Sequence, residues 1–225
     1  MSGPEHFLVS GGSGDIGAAT CDALAGAGFI PVVGYHRGAA AADGIARRTG
    51  GLTLALDLAS DTSIDQALAF FATQSARLAG AVLAGSPPLA LAPFGKILPD
   101  ELNSQWQVNV LGPQRLLAGL VRQCFRLHKS GVVVGVLSQA MGDESHKAAS
   151  GMGAYIIAKY GMAGLLAVLA ADYPWLRVRS VRPGYTETRM LAAFDARFLD
   201  TQRDLTPFQT PQQVAAQILR EVERP

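Results

Sequence analysis

The most informative segment of the chain is Val9-Ser10-Gly11-Gly12-Ser13-Gly14-Asp15-Ile16-Gly17. It follows the apolar run 7–9 and precedes the Ala- and Leu-rich segment 18–27, so it predicts a turn from a first strand into a first helix. Glycines at such a turn let the backbone approach a diphosphate, whose negative charge is favoured by the amides and dipole at the helix start. We therefore predict a nucleotide-binding loop formed by Ser10, Gly11, Ser13, Gly14, Asp15, Ile16 and Gly17.

Short β-rich runs alternate with helical segments along the rest of the chain, as in the predicted helix 39–49. The further predicted strands are 30–34, 52–56, 81–84, 132–137 and 178–181. Strands that alternate with helices form a parallel sheet covered on both faces, and right-handed crossovers make the sheet doubly wound. The sequence thus predicts one α/β domain, residues 1–225, with a Rossmann-like parallel sheet and a ligand site at the carboxyl ends of its strands.

Composition and charge limit the classes of function. The 225 residues carry 19 basic and 18 acidic side chains, a net charge of +1, so neither nucleic acid nor an anionic membrane is an expected partner. The two cysteines, Cys21 and Cys124, stand far apart, which fits a reducing compartment and favours neither a disulfide nor a metal site. Residues 1–7 show no targeting signal, and no window approaches about 20 unbroken apolar residues. We expect a soluble, cytoplasmic protein that acts on a small molecule.

Tyr155 and Lys159 form a second motif, in the run Ala154-Tyr155-Ile156-Ile157-Ala158-Lys159-Tyr160. Positions i and i+4 share one face of a helix, so the Lys159 ammonium could approach the Tyr155 phenol and favour the phenolate. A tyrosine, whose ordinary pKa is about 10, would then donate and accept protons near neutral pH. The same pair on a solvated helix face would have no chemical role, and both interpretations stay open on these residues alone.

The residues that follow the second strand, Gly34-Tyr35-His36-Arg37, indicate which dinucleotide the loop would bind. An acidic residue at this place binds the ribose 2′-hydroxyl of NAD, whereas an arginine accommodates the 2′-phosphate of NADP. No carboxylate is present, so His36 and Arg37 favour NADP(H) over NAD(H), although Arg37 could be a surface residue without a ligand. Asp57 and Leu58 follow the third strand where an adenine ring would pass, but Asp57 could equally cap a turn or a helix.

With these segments the chain resembles the short-chain dehydrogenase/reductase family from Val9 to about Ile218. Several motifs stand in the order typical of that family. They are the glycine loop, Val108-Asn109, Ser138 at the end of the fifth strand, Tyr155 with Lys159, and Arg182-Pro183-Gly184-Tyr185-Thr186-Glu187-Thr188 after the sixth strand. The resemblance implies a catalytic set of four residues, Asn109, Ser138, Tyr155 and Lys159.

The resemblance also implies a role for each of these residues. Tyr155 would be the general acid in a reduction, and Lys159 would lower its pKa and hold the nicotinamide ribose. Ser138 would hydrogen-bond the substrate carbonyl, and Asn109 would position Lys159 and a water molecule. A developing alkoxide needs a hydrogen-bond donor and a proton source while a nicotinamide delivers hydride. Further cofactor contacts would come from Ala84, Gly85, Pro183, Gly184, Thr186 and Thr188.

Four features depart from the family pattern, and one is a somewhat long, polar stretch from Gln139 to Ala154 that could reshape the substrate entrance. Asp15 occupies the second glycine position of the loop, and the resulting Gly-x-x-Gly-x-x-Gly spacing resembles the epimerase and dehydratase branch. Its carboxylate could cap the first helix, or repel a cofactor phosphate. The segment Val82-Leu83-Ala84-Gly85 lacks both amides of the family's Asn-Asn-Ala-Gly, so support for the central strand must come from elsewhere. The sequence ends at Pro225 before a seventh strand, which puts the family's tetramer in doubt.

A homodimer is the expected assembly, with a tetramer as the alternative. The helices that contain Asn109 and Tyr155 would form its interface. The apolar surface would come from Leu116, Leu117, Leu120, Leu165, Leu166 and Leu169, although about half of these leucines would instead face the sheet.

The segment 189–211 is the least regular part of the chain and is predicted either as a substrate lid or as a plain surface connection. Its Met190, Leu191, Phe194 and Phe198 favour a hydrophobic substrate. Four basic residues nearby could instead receive an acid: His146, Lys147, Arg189 and Arg197.

Three functions stay open. The favoured one is an NADPH-dependent carbonyl reductase that acts on a ketone, an aldehyde or a 3-oxoacyl-type group. The alternatives are an NADP-binding sensor or scaffold with little turnover and, less favoured, a sugar epimerase or dehydratase. The latter is disfavoured because 225 residues leave no room for a sugar-nucleotide region.

Overall fold

The computed structural model describes residues 5–225, so residues 1–4 of the N-terminal segment lie outside the described part of the chain. Its strands are β1 (His6–Ser10), β2 (Ile30–Tyr35), β3 (Leu52–Ala55), β4 (Leu78–Leu83), β5 (Val132–Val136) and β6 (Arg177–Val181). They form one sheet in the order β3-β2-β1-β4-β5-β6, and every neighbouring pair is parallel. The predicted doubly wound α/β fold is therefore confirmed, and its topological switch point lies between β1 and β4.

Helices stand between successive strands in the chain, and further helices follow β6. They are α1 (Asp15–Gly26), α2 (Ala39–Thr49), α3 (Asp61–Thr73), α4 (Pro99–Trp106), α5 (Gly112–Leu120), α6 (Arg126–His128), α7 (Gly153–Asp172), α8 (Ala196–Leu205) and α9 (Pro211–Glu223). Two π-helical turns, Gln107–Leu111 and Val121–Phe125, join α4, α5 and α6 into one rod. Helix α1 begins at Asp15, three residues before the predicted start, because an acidic first turn complements the helix dipole.

The segment that follows β6 is more regular than the sequence predicts. It contains the 3-10 turn Arg189–Ala193 and helix α8. The Asp195 carboxylate accepts hydrogen bonds from the backbone N–H groups of Arg197 (2.9 Å) and Phe198 (3.4 Å) and so caps the start of α8. The prediction of an irregular segment is therefore wrong for residues 196–205, and the Asp195 cap is one local contribution to this helix.

Two apolar layers hold the helices against the sheet. Side chains alternate between the faces of a strand, so Leu8 packs with α3, α5 and α7, whereas Phe7 and Val9 pack with α1, α2 and α9. The glycine loop at the end of β1 is thereby held between two buried layers. This arrangement fixes the carboxyl ends of β1, β4 and β5, where the candidate site lies.

The leucines assigned to a dimer surface belong mostly to this core. Leu116, Leu117, Leu120, Leu166 and Leu169 are buried, and Leu165 packs against the same cluster. The expectation that they form an exposed interface is wrong, because these faces of α5 and α7 cover the sheet. The exposed large apolar side chains on this rod and on α7 are Trp106, Leu111, Leu127, Ile157, Tyr160 and Val168.

Helix α7 is long and apolar enough to be compared with a membrane-spanning helix. Of the helices in residues 5–225, it is the one whose 20 residues and mean hydropathy of 1.7 would suffice to cross a membrane. In the structure its Met162 and Leu166 are buried in the core, and its Lys159 is buried as well. Its length and apolar character therefore fit its place as a core helix.

Candidate active site

The glycine loop adopts a backbone that side chains would obstruct. Gly11 has a φ of +67°, and a Cβ atom there would lie 2.7 Å from the Cα atom of Gly85. A Cβ atom on Gly17 would lie 2.2 Å from the carbonyl oxygen of Gly11. The loop thus packs tightly between the end of β4 and the first turn of α1, and only glycine fits at these two positions.

The start of α1 leaves backbone donors available. Gly14 is the N-cap residue, and because it has no side chain no cap hydrogen bond satisfies the first-turn N–H groups. Ile16, in that first turn, lines the cleft that also contains Tyr155. These N–H groups, together with the close approach that the glycines permit, fit the diphosphate of a dinucleotide.

Asp15 pairs with a residue that lies far away in the sequence. Its carboxylate accepts a hydrogen bond from the backbone N–H of Arg189 at 2.8 Å, and the Arg189 Nε lies 3.3 Å from it. The Arg189 guanidinium also donates to the carbonyl of Ser13 at 3.4 Å. The charge of the acid in the glycine loop is therefore neutralised by the first residue of the predicted lid.

The residues that follow β2 contact both the glycine loop and the residue Asp57, which follows β3. His36 Nε2 lies 3.4 Å from the Asp57 carboxylate, and the Ser13 hydroxyl donates to the carbonyl of Arg37 at 3.2 Å. Asp57 also accepts from the N–H of Ala59 at 2.9 Å, so it caps a turn as well. The guanidinium of Arg37 forms no ion pair within residues 5–225 and remains free for a phosphate.

Two predicted cofactor residues at strand ends have different surroundings. Leu58 is buried in the core layer beside α3, so only its backbone could meet a cofactor. Gly85 donates its N–H to the hydroxyl of Ser10 at 3.4 Å. The two amides of the family's Asn-Asn-Ala-Gly are absent after β4. The hydrogen bond to Ser10 therefore supplies part of the support for the end of this strand.

Asn109 lies in the π-helical turn of the rod. Pro113, four residues later, has no backbone N–H, so it cannot donate to the Asn109 carbonyl and an ordinary helical turn is interrupted there. The Asn109 amide Nδ2 donates to the carbonyl and side-chain oxygens of Gln105, each at 3.0 Å, and to the Ser86 hydroxyl at 3.4 Å. The rod is thus tied to the residue that follows Gly85, which completes the support of the central strand.

The Asn109 Oδ1 atom is buried and has no hydrogen-bond partner in the described residues. Buried acceptors are nearly always satisfied, and one that is left without a protein partner commonly binds a water molecule or a ligand. This orphan oxygen is the strongest sign that Asn109 does more than repair the helix.

Tyr155 and Lys159 are both buried on α7. Lys159 is 2% exposed, its Nζ donates to the carbonyl of Val136 at 2.8 Å, and it lies 5.4 Å from the centre of the Tyr155 ring. Burial lowers the pKa of Lys159 to about 7. Burial raises the pKa of Tyr155 above its ordinary value, and the Ser138 hydroxyl only partly opposes this shift. Lys159 is not among the causes of this shift, so the lowering of the Tyr155 pKa by Lys159 stays a prediction.

One cleft of about 280 Å³ brings together nine of the 21 predicted site residues. Of the predicted residues, its walls include Ile16, Ala84, Ser138, Tyr155, Lys159, Pro183, Gly184, Thr186 and Thr188. The other twelve lie outside its walls: Asn109, His36, Arg37, Asp57, Leu58, Gly85 and, from the glycine loop, Ser10, Gly11, Ser13, Gly14, Asp15 and Gly17. The cleft runs from the start of α1 to the phenol of Tyr155, so it connects the nucleotide loop with the proposed proton donor.

Several residues at this site were not predicted from the sequence. Gln105 and Ser86 bind Asn109, and Leu89 and Gln139 line the cleft. Gln105 stands four residues before Asn109, which is a detectable helical spacing. The other residues carry no motif, because only the tertiary fold brings their loops to the cleft.

Comparison with known protein families gives one extended match. The family model described as short chain dehydrogenase matches residues 5–197. Among curated proteins, the chain is 26% identical over 214 residues to 2,5-dichloro-2,5-cyclohexadiene-1,4-diol dehydrogenase of Sphingobium indicum. That alignment covers 92% of this chain and 81% of the relative.

Solved structures share the fold at low sequence identity. One is a gluconate 5-dehydrogenase from Burkholderia cenocepacia in complex with NADP and tartrate (TM-score 0.86, 20% identity, 98% of this chain and 88% of that chain). Another is a 3-ketoacyl-(acyl-carrier-protein) reductase from Brucella melitensis complexed with NADH (TM-score 0.86, 20% identity, 99% of this chain and 92% of that chain). At these identities the similarity shows the fold alone, and the two complexes hold different nicotinamide cofactors.

Proposed function

The chain belongs to the short chain dehydrogenase family, and from this we propose that it is an NADP(H)-dependent oxidoreductase that reduces a carbonyl group to an alcohol. One observation supports this proposal most strongly. The buried Tyr155 phenol shares a cleft with Ser138 and Lys159, and the same cleft reaches the glycine loop at Ile16. A proton donor and a nucleotide loop thus open onto one space.

The residues present fit a bound dinucleotide. The first-turn N–H groups of α1 and the glycine loop would hold its diphosphate, and Arg37 with His36 would hold a 2′-phosphate. Thr186 and Thr188 line the other side of the cleft, where the nicotinamide half would lie. Lys159 would contact the adjoining ribose. When bound, the cofactor supplies the hydride that reaches the carbonyl carbon.

Two side chains of the protein would bind the carbonyl oxygen and supply the proton. The Ser138 hydroxyl would donate a hydrogen bond to this oxygen, and the Tyr155 hydroxyl would give it a proton as negative charge develops. Burial raises the pKa of Tyr155, so the phenol would carry the proton that a general acid gives up. Lys159, at 5.4 Å from the ring, would then stabilise the phenolate that remains.

Asn109 would act as a positioning residue for this proton transfer. Its unpartnered Oδ1 atom would accept a hydrogen bond from a water molecule or from Lys159. Its Nδ2 atom is already occupied by Gln105, so the amide is held in one orientation. We propose that the water returns a proton toward Tyr155 after each turnover.

An initial-rate assay tests the proposed function. The purified protein is mixed with NADPH and a panel of ketones, aldehydes and 3-oxoacyl thioesters, and consumption of NADPH is followed. Reduction of at least one class, with alcohol identified as the product, is expected. A protein that binds NADPH tightly but reduces none of them would contradict the proposal and favour the sensor or scaffold alternative.

The preference for NADPH should depend on Arg37. We expect NADPH to bind at least about 10-fold more tightly than NADH, because a guanidinium pairs well with the 2′-phosphate. The Arg37→Gln variant should lose this preference while its affinity for NADH stays unchanged. Fluorescence titration measures both dissociation constants, and Arg47→Gln on α2 is the matched control. Equal affinities for the two cofactors in the unmodified protein would contradict the assignment to Arg37.

We also propose that the protein forms a homodimer through its exposed apolar helix faces. Trp106 packs across α7 at Gly161, and Leu111, Tyr160 and Val168 are 45%, 53% and 61% exposed. An exposed apolar patch on two packed helices is typical of an interface. Sedimentation should give twice the chain mass of 23.6 kDa, and Val168→Glu should give monomers. A monomer at all concentrations in the unmodified protein would contradict the dimer.

A further inference from the structure

The cleft beside Tyr155 contains a cation that the reduction chemistry does not use. Within the described residues, Lys159 and Lys147 are the charged side chains that line this cleft, and no acidic side chain lines it. Lys159 is buried and is hydrogen-bonded to Val136. Lys147 is exposed, so it lies where a substrate would enter.

The structure separates Lys147 from the other basic residues near the entrance. Arg189 is bound to Asp15 and is therefore occupied. His146 lies 3.2 Å from the Asp143 carboxylate within one turn, and Arg197 does not line the cleft. In residues 5–225 the Lys147 ammonium forms neither an ion pair nor a hydrogen bond. Of the four basic residues, Lys147 alone is both free and in the cleft.

The loop that carries Lys147 is fastened to the rest of the site. The Tyr160 hydroxyl on α7 donates to the carbonyl of Met141 at 2.8 Å, just before the loop. The N–H of Ala149 donates to the carbonyl of Ala140 at 2.9 Å, just after Lys147. Because both ends of the loop are bound, the lysine is presented to the cleft by an ordered turn.

Part of the cleft wall around the phenol is apolar. Leu89, Met152 and Phe194 pack into one cluster with Tyr155 and line the same cleft. Tyr185 packs edge-on against Phe194, with ring centres 5.9 Å apart, and extends this apolar surface. A substrate body in contact with these walls would bury apolar surface. An anionic group that entered with that body would need a cationic partner, because an unpaired charge is costly in such surroundings.

We propose that Lys147 binds an anionic group of the substrate, so that the preferred substrate is an oxo acid with an apolar body. This inference rests on the proposed carbonyl reduction and adds the class of compound reduced. The ammonium of a lysine is a compact charge that pairs with a carboxylate or a phosphate without a fixed geometry. Lys147 would act on substrate binding and not on the transfer of hydride or proton.

Matched ketones test this assignment. Reduction of 4-acetylbenzoate, 4-acetylphenyl phosphate and methyl 4-acetylbenzoate is measured with NADPH, together with levulinate and its methyl ester. We expect kcat/KM for 4-acetylbenzoate and for levulinate to be at least about 10-fold higher than for their methyl esters. The value for 4-acetylphenyl phosphate should likewise exceed that for methyl 4-acetylbenzoate. A preference for the phosphate over the carboxylate, or the reverse, identifies which anion the site takes. The preference should weaken as salt concentration rises, because Lys147 is exposed.

The variant Lys147→Met retains length and removes the charge. It should raise KM for the anionic ketones about 10-fold, leave kcat within about twofold, and leave the neutral esters unchanged. The remote Lys129→Met variant removes one charge before β5 and should behave as the unmodified protein. Equal use of acid and ester, or an anion preference that survives Lys147→Met, would overturn the inference while carbonyl reduction stands. Absence of any reduction in the unmodified protein would overturn the proposed function itself, and this inference with it.

Discussion

Tyr155→Phe is expected to lower kcat for carbonyl reduction by at least about 10³-fold, while the dissociation constant for NADPH stays within about twofold. The phenol is the buried hydroxyl that opens onto the cleft together with Ser138 and Lys159. Its raised pKa keeps it protonated at neutral pH, so its removal takes away the proton itself and not merely a hydrogen bond. Single-turnover kinetics with NADPH in excess measure the loss directly.

The control for Tyr155→Phe removes the hydroxyl of another tyrosine, at the other end of the same helix. Tyr173, at the end of α7, packs edge-on against Trp175 and lies outside the cleft. Tyr173→Phe should retain full turnover. Turnover in Tyr155→Phe within about threefold of the unmodified protein would remove Tyr155 from the mechanism and leave Lys159 or Ser138 to be tested in its place.

Gly17→Ala is expected to weaken NADPH binding by at least about 100-fold and to lower the melting temperature. The added Cβ atom would lie 2.2 Å from the Gly11 carbonyl oxygen and 2.8 Å from the Gly12 Cα atom. Both neighbours are backbone atoms, so the contact is relieved only if the loop moves away from α1. The cradle for the diphosphate is then lost together with the packing.

A graded series keeps this prediction testable if Gly17→Ala fails to fold. A Cβ atom on Gly14 would lie 3.1 Å from the same oxygen, so Gly14→Ala should fold and weaken NADPH binding less. At the other end of α1, Gly26 has no atom within 4 Å of such a Cβ, and Gly26→Ala should bind NADPH normally. Titration and thermal unfolding of the three variants would contradict the account if all bound NADPH alike.

The sequence predicted well what depends on neighbouring residues. The order of strand, glycine loop and helix around residues 9–17 predicted the first crossover. The alternation of later β-rich and helical segments predicted a parallel sheet. Helix α2 has the predicted bounds, Ala39–Thr49. These features follow from local conformational preference and apolar patterning. Both depend on residues that lie within about ten positions of one another in the sequence.

The errors arose where the outcome depends on distant packing. Asp15 and Arg189 are 174 positions apart, so no spacing rule could join them. The i, i+4 rule correctly placed Lys159 near Tyr155, but burial, which the rule does not contain, decided the direction of the Tyr155 pKa. The periodicity of Leu116 and Leu166 marked an apolar face without saying whether it meets the sheet or a partner. Pro113 was a readable signal for the π-helical turn at Asn109.

Transfer of deuterium from NADPH labelled at C4 of the nicotinamide tests the central claim most directly. The protein is incubated with stereospecifically labelled cofactor, each diastereomer separately, and with the carbonyl panel, and the products are analysed by mass spectrometry. We predict that one diastereomer gives an alcohol with deuterium on the former carbonyl carbon, and that Tyr155→Phe gives almost none. If NADPH binds tightly but neither diastereomer labels any product, the chain is a cofactor-binding protein and not the reductase proposed here.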